Sequence, residues 1–340
     1  MGVPAVYYHP LFLKHETGEH PENKERLVVA RQALLDSGLE LEWVKPDPPP
    51  TEAIARVHDP AYIEAVRETA QAGGGWLDWD TAVSPRSYDA ALLAAGSGLM
   101  AVDRCLSTGQ LAFMLVRPPG HHASRSRGMG FCLFNNIAVT AAHALGERGL
   151  ERVLIVDWDV HHGNGTQAAF YDDPRVLFFS IHEGGHFPGT GLATEAGTGD
   201  GTGYTVNVPL RAGGSDGAVL LAFESLLAPL TRAFKPQLVL VSAGYDPQEG
   251  DPLGDLRFSR ASFQWMAASL LALTQEVGGA GPLCFLEGGY VPDMLAASIV
   301  ATLKGLLGES PPLERVVSDA ERGDVGEALE EVRPYWKGAL

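Results

Sequence analysis

Short aliphatic runs alternate along this chain with longer stretches whose apolar positions recur at helical spacing. The runs Ala5–Tyr8, Leu111–Val116, Val153–Asp157, Val176–Ile181, Thr205–Val208, Leu238–Ala243 and Leu283–Glu287 are nearly continuous in apolar residues. Such runs read as strands covered on both faces. Lys24–Ser37, Ala61–Ala70, Pro85–Thr108, Asn135–Arg148, Asp216–Ala233, Ser259–Val277 and Pro292–Leu307 read as helices. Strands and helices in alternation predict an α/β fold with a parallel sheet. No stretch between them has the composition of a linker. Pro46–Pro50 is a rigid loop, and Gly184–Gly203 is a long loop rich in Gly and Thr, of a length that often carries function. Its segment Gly197–Gly203 neither follows a clear strand nor opens a helix, so it lacks the setting of a phosphate-binding loop.

Polar residues interrupt the apolar pattern at four strand ends. Val153–Asp157 runs on into Trp158-Asp159-Val160-His161-His162-Gly163. If the strand persists to residue 161, residues 157, 159 and 161 project to one face. Two carboxylates and an imidazole then converge at a strand's C-terminal end, where open α/β folds bind ligands. Buried charges need a partner. A divalent metal supplies one; a hydrogen-bonded acidic turn is the plain alternative. The second cluster, Arg117-Pro-Pro-Gly-His-His-Ala123, places His121 and His122 on a stiff turn after a strand. There they are general acid/base candidates, although adjacent histidines are usually unremarkable surface residues. In the third, Leu238–Gly254, a strand runs into Asp246, which suits a third ligand beside Asp159 and His161 or a simple turn cap. One imidazole and two carboxylates leave coordination positions for water and substrate. The fourth, Cys284–Val291, sets Tyr290 after two glycines, where a phenol can hydrogen-bond an oxyanion or merely pack.

Composition narrows the class. A chain of 340 residues that is 45% hydrophobic can bury a large core. A net charge of -17 disfavours nucleic acid as a partner. It would attract cationic substrates, though acidity also serves solubility alone. No apolar run approaches the roughly 20 residues of a membrane span, and the N-terminus lacks a signal-peptide pattern. No membrane partner is therefore expected. Cys105, Cys132 and Cys284 are odd in number, widely spaced and without a CxxC pair, which argues against a disulfide framework or a Cys-rich zinc site. A cytoplasmic location is the expectation.

The motifs RPPGHHA at 117–123, GFCLFNN at 130–136, DWDVHHGNGTQ at 157–167, FPGTG at 187–191, SAGYDPQEGDPLG at 242–254 and LEGGY at 286–290, with His20-Pro-Glu-Asn-Lys-Glu-Arg26 before them, together resemble the histone deacetylase family of the arginase–deacetylase fold. The resemblance runs in family order from about residue 8 to 307. HHGNG and the SIHEGGHFPGTG loop are more similar to the class II and bacterial branches, which include acetylpolyamine amidohydrolases and acetoin-utilisation-type proteins. The resemblance implies a single deacetylase domain over residues 1–340, three layers (α/β/α) around a mostly parallel sheet of about eight strands. Residues 308–340 are left as a charged helical tail. It implies Zn2+, with Fe2+ as the cellular alternative, held by Asp159, His161 and Asp246. His122 would be the general base and His121 its charge-stabilising or proton-donating partner. Asp157 would orient His121, and Asn164 would face His122 where class I members carry Asp. Tyr290 would donate to the tetrahedral oxyanion. Gly130, Phe131 and Phe187 would line an acyl-lysine tunnel, with Leu253 at its rim and Cys132 packed beside it. Arg26 would line an acetate exit route; an ordinary surface arginine is the competing reading. Two structural K+ sites are implied. One uses backbone oxygens of Asp157, Asp159, His161 and Ile181, with Ser180 and an Asp157 carboxylate oxygen. The other uses backbone oxygens of Phe170, Asp173, Val176 and Tyr204.

Three other functions compete with lysine deacetylation. Arginase-type hydrolysis with two metals needs carboxylates two positions after the strand-end ligands, where this chain has Gly163 and Gln248. A non-catalytic acyl-lysine binder would not need the histidine pair and Tyr290. Acetylpolyamine hydrolysis is the serious rival: polyamine-selective members carry an acidic residue at the rim, where this chain has Leu253, although Glu249 is near. The stretch Gly73–Ser84 is too short for the family's dimerising insertion, so a monomer or weak homodimer is expected.

Overall fold

The computed structural model describes residues 2–340. Ten strands form among them: β1 Ala5–Tyr7, β2 Glu42–Val44, β3 Gly75–Asp78, β4 Thr81–Val83, β5 Ala112–Met114, β6 Val153–Asp157, β7 Val176–Glu183, β8 Thr205–Leu210, β9 Leu238–Ala243 and β10 Ala280–Leu286. Eight of them make one sheet in the order β2-β1-β5-β10-β9-β6-β7-β8. Every neighbouring pair in it is parallel. β3 and β4 form a separate antiparallel hairpin. Each residue of β6 and β9 is buried, which is why these strands are continuous in Val, Leu and Ile. Helices Ser87–Thr108 and Asn136–Glu147 pack on each other and on β10 and β9. Glu25–Asp36, Arg260–Glu276 and Pro292–Leu306 form a second packed group. This is the α/β architecture expected of the arginase–deacetylase fold.

The expected strands and helices form with ends shifted by a few residues. β2 and the hairpin were not anticipated. β2 is three half-buried residues, Glu-Trp-Val, at a sheet edge, and carries no apolar run to read. The membrane expectation needs a correction. Ser87–Thr108 and Asp216–Phe234 are long and apolar enough by mean hydropathy to cross a bilayer. In each, 61% of the most apolar window is buried in the fold, so packing against the sheet accounts for the apolarity.

The tail is part of the architecture. Ser318 and Glu321 form a reciprocal capping box that starts helix Asp319–Val332. This helix packs on β8, an edge strand that would otherwise offer unpaired backbone groups. Trp336 Nε1 donates to Gly203 O at 2.7 Å, and a Cβ on Gly203 would lie 2.5 Å from Tyr335 Cβ. The Gly-rich 197–203 loop thus seats the tail.

Candidate active site

The four polar clusters leave the C-terminal ends of β5, β10, β9 and β6, which are adjacent in the sheet. β6 stops at Asp157, so strand alternation does not bring the ligands together. A chain of side-chain-to-backbone bonds does. Asp157 Oδ1 accepts from the N–H of Asp159 at 3.1 Å, and Asp159 Oδ1 from the N–H of His161 at 2.9 Å. Each aspartate holds the backbone two residues on, the local turn chemistry for which Asp is favoured. Asp157 then faces His121, while Asp159 and His161 turn towards Asp246.

Asp159, His161 and Asp246 present ligand atoms within 4.8 Å of one another, all buried. His161 Nδ1 lies 3.0 Å from Asp159 Oδ1 and 3.2 Å from Asp246 Oδ2. Asp246 Oδ1 accepts from the N–H of Val160 at 3.0 Å. Its Oδ2 is buried without a hydrogen bond. A Cβ on Gly288 would meet Asp246 Oδ2 at 2.0 Å, and one on Gly244 would meet Asp159 Oδ2 at 2.1 Å. The backbone therefore presses against the outer sides of both carboxylates, and Gly288 N–H donates to Asp159 Oδ2 at 2.8 Å. Burial and the nearby Asp159 push the Asp246 carboxyl up to about 7. Two carboxylates crowded in this way, one with an unsatisfied oxygen, fit a divalent cation. Gln248 accepts from Ser298 Oγ at 2.6 Å and is committed to the neighbouring helix. Among the described residues no second such group forms, which fits one ion and not the arginase pair.

The two imidazoles differ in their partners. His121 Nδ1 donates to Asp157 Oδ2 at 3.0 Å, and His122 Nδ1 to Asn164 Oδ1 at 2.8 Å. Burial alone would lower His121, but the carboxylates of Asp157, Asp159 and Glu287 raise it to about 10. Burial lowers His122 well below its ordinary value, helped by the positive fields of His121 and His161. A cation on the ligand set would push both down. The difference between them stays, because one faces a carboxylate and the other an amide. Glu287, which the sequence reading left unassigned, accepts from the N–H of Gly120 at 2.7 Å and of His121 at 3.2 Å. It ties the histidine turn to the end of β10.

Tyr290 lines a cavity above the ligand set, and desolvation raises its pKa well above the usual phenol range. It remains a protonated donor. Arg26 is buried, not a surface residue. Its guanidinium donates to the carbonyls of Glu287 and, at 2.7 Å, Gly289, and lies 5.0 Å from the Tyr290 ring centroid. It is absent from the lining of the mouth cavity. Asp251 completes the support: Oδ2 accepts from the N–H of Tyr290 at 2.6 Å and Oδ1 from that of Leu253 at 3.0 Å. The N-terminal motif also finds its reason. Glu22 is buried between Arg117, whose Nη2 lies 2.7 Å from Oε2, and Arg26, whose Nη1 lies 3.1 Å from Oε1. The Glu22–Arg26 pair is four residues apart in the chain, whereas the pairing of Glu22 with Arg117 spans distant segments and left no local signal in the sequence.

This cavity, of about 260 Å3, is lined by His122, Gly130, Phe131, His161, Phe187, Leu253 and Tyr290, with the buried Asp80 and the exposed Trp79 and Asp255 also in its wall. All four expected tunnel residues are in this wall. Gly130 has φ +55°, and a Cβ there would lie 2.3 Å from His122 Cδ2; only glycine allows so close a wall. Phe131 itself has φ 69°, a costly conformation for an aromatic residue. Its ring meets Tyr290 edge-on at 5.7 Å, and Phe187 meets His122 at 5.1 Å. Cys132 is buried beside them, and burial raises its thiol well above the ordinary range, which fits packing. Of the residues named for potassium, Ser180 Oγ bonds His182 Nδ1 at 2.9 Å. Phe170 O and Asp173 O accept from Asp173 N–H and Val176 N–H in the turn before β7. Tyr204 packs on Trp336 at 5.4 Å. Ile181 is buried in β7.

His58 anchors the tunnel segment from behind. Its Nδ1 donates to Ser124 O at 2.8 Å, and its Nε2 accepts from the N–H of Asn135 at 2.9 Å. That arrangement requires the neutral ring, and burial lowers its pKa to about 4. Unfolded chains bind this proton near pH 6.5, so between pH 6.5 and 4 the unfolded state carries more protons and stability falls as pH falls. His58 contributes about 2 kcal/mol of this loss at pH 5. Urea unfolding at pH 7 and pH 5 should show His58→Gln less stable at pH 7 but flatter with pH than wild type by that amount; equal slopes would refute it.

Comparison with known proteins agrees with this geometry. The model of the histone deacetylase domain matches residues 20–306. Histone deacetylase 14, chloroplastic, of Arabidopsis thaliana is 38% identical over 324 residues, spanning 89% of this chain and 77% of that protein. Polyamine deacetylase HDAC10 of Homo sapiens is 39% identical over 360 residues, spanning 99% of this chain and 53% of that protein. The crystal structure of the HDA15 HD domain has a TM-score of 0.93 at 36% identity and covers 100% of this chain and 97% of that one. With its motif-bearing strand ends gathered around one pocket, the chain belongs to the histone deacetylase family and is a hydrolase of the deacetylase and amidohydrolase type.

Proposed function

We propose that the protein removes acetyl or other short acyl groups from lysine side chains, with one Zn2+ (or Fe2+) held by Asp159, His161 and Asp246. The observation that carries the lysine reading is Leu253 in the wall of the cavity mouth, an apolar rim where a polyamine's distal ammonium would need an acid. When bound, the ion supplies Lewis acidity towards the amide carbonyl and the attacking water. Phe131 and Phe187 hold the aliphatic stem and exclude bulk water. His122 Nε2, free because Nδ1 is committed to Asn164, accepts the proton of the attacking water. The Tyr290 phenol donates to the oxygen that becomes negative, an interaction worth about 3 kcal/mol in comparable sites. His121, kept protonated by Asp157, offsets the charge that develops and serves as proton donor to the departing amine. Arg26 and Asp251 keep Tyr290 in place. Structural K+ at the two backbone sites belongs to the same reading.

Acetylpolyamine hydrolysis is the second reading, favoured by Asp80 and Asp255 in the mouth wall. Activity on an acetyl-lysine peptide and on N-acetylputrescine, measured side by side, separates the two. We expect the peptide to have the higher kcat/KM. Leu253→Glu should shift the ratio towards acetylputrescine by about tenfold, as a new charge-assisted contact would. A wild-type preference for acetylputrescine would overturn the lysine reading.

A further inference from the structure

The β3–β4 hairpin turns through Trp79 and Asp80. Trp79 is 78% exposed, yet it belongs to the wall of the mouth cavity, with its ring 6.4 Å from that of Phe187. Nothing in the catalytic chemistry uses it. The hairpin is fastened to the tunnel wall on several sides. Asp80 Oδ1 accepts from the N–H of Gly130 at 3.2 Å, and Thr81 Oγ1 from the N–H of Phe131 at 3.1 Å. Asp80 O accepts from His20 Nε2 at 3.1 Å. Arg127 Nη2 lies 2.7 Å from Asp78 Oδ2. Trp79 is thus an exposed aromatic on a support tied to the residues that grip the acyl-lysine stem. A rigid indole of this kind loses little freedom on contact, which is the property of binding hot spots.

Any chain that carries the acyl-lysine must pass over this rim. We propose that Trp79 is the platform for the residue flanking the acyl-lysine, and that it selects a cationic neighbour; this rests on the lysine reading above. The indole face is the best aromatic partner for a cation. Asp80 and the exposed Asp255 stand in the same wall, and the chain carries a net charge of -17. The substrate class is then acyl-lysine within a basic stretch of polypeptide, with Trp79 setting KM and not the chemical step.

The test uses the zinc-loaded 340-residue chain, its Trp79→Ala variant and its Trp79→Phe variant. Substrates are three acetyl-lysine peptides that differ only in one neighbour (Arg, Ala or Glu) and the small N-acetyl-lysine methylamide. Wild type should favour the Arg peptide over the Ala peptide by about threefold in kcat/KM, through KM. Trp79→Ala should erase that preference and lower the ratio of Arg-peptide to methylamide kcat/KM by about fivefold, with Trp79→Phe in between. A peptide-to-methylamide ratio that Trp79→Ala leaves unmoved, or an Arg preference that survives it, overturns the proposal while the lysine reading stands. Hydrolysis of acetylputrescine with none of the lysine substrates turned over overturns both.

Discussion

Asp246→Asn is expected to lower bound zinc from one ion per chain to under about a tenth of that, and kcat/KM by at least about a thousandfold, since Lewis-acid stabilisation supplies several kcal/mol. A second readout separates loss of metal from loss of fold. Asp246 Oδ2 is buried without a hydrogen bond beside the buried Asp159, and burial with that neighbouring carboxylate raises its pKa. Neutralising it relieves that repulsion. Stripped of metal, the variant should therefore melt at or above the wild type. Added zinc should raise the melting temperature of wild type, by binding linkage, and leave that of the variant nearly unmoved. Equal zinc-induced shifts in the two proteins would remove Asp246 from the ligand set. A metal count of two in wild type would remove the single-ion reading.

The sheet and the four clusters were legible in the sequence because each is local. β6 and β9 are buried on both faces, so both faces are written in aliphatic residues, and the polar residues at their ends break the pattern visibly. The Asp157–Asp159–His161 spacing was legible for a mistaken reason. It looked like strand alternation but reflects aspartates that hold the backbone two residues ahead. What was not legible depends on contacts between distant segments. Glu22, Asp251 and Glu287 stand inside motifs, but their partners Arg117, Tyr290 and the His121 turn lie far along the chain, and His58 behind Asn135 stands outside any motif. The hairpin was missed because β3 and β4 have four and three residues, too short to show a period. Trp79, at its turn, was missed with it.

The assignment of the two histidines carries the second large effect. His122→Ala should lower kcat by about a thousandfold, within the usual range for general-base catalysis, because His122 lines the cavity and its Nδ1, bonded to Asn164 Oδ1, leaves Nε2 to take the proton. His121→Ala should cost less, about a hundredfold, since Glu287, Asp157 and the ligand set remain to shape the site and only a charged partner is lost. Asn164→Asp distinguishes this from the reverse assignment. A carboxylate in place of the Asn164 amide, 2.8 Å from His122 Nδ1, favours the protonated ring and raises its pKa. A base works unprotonated, so the acid limb of the kcat/KM profile should move to higher pH. If His121 were the base, it would already sit against Asp157 at 3.0 Å, and Asn164→Asp would leave the acid limb almost unmoved. His121→Ala would then be the more damaging substitution. The two measurements must agree in direction, since both read which imidazole is kept neutral by an amide and which is kept charged by a carboxylate.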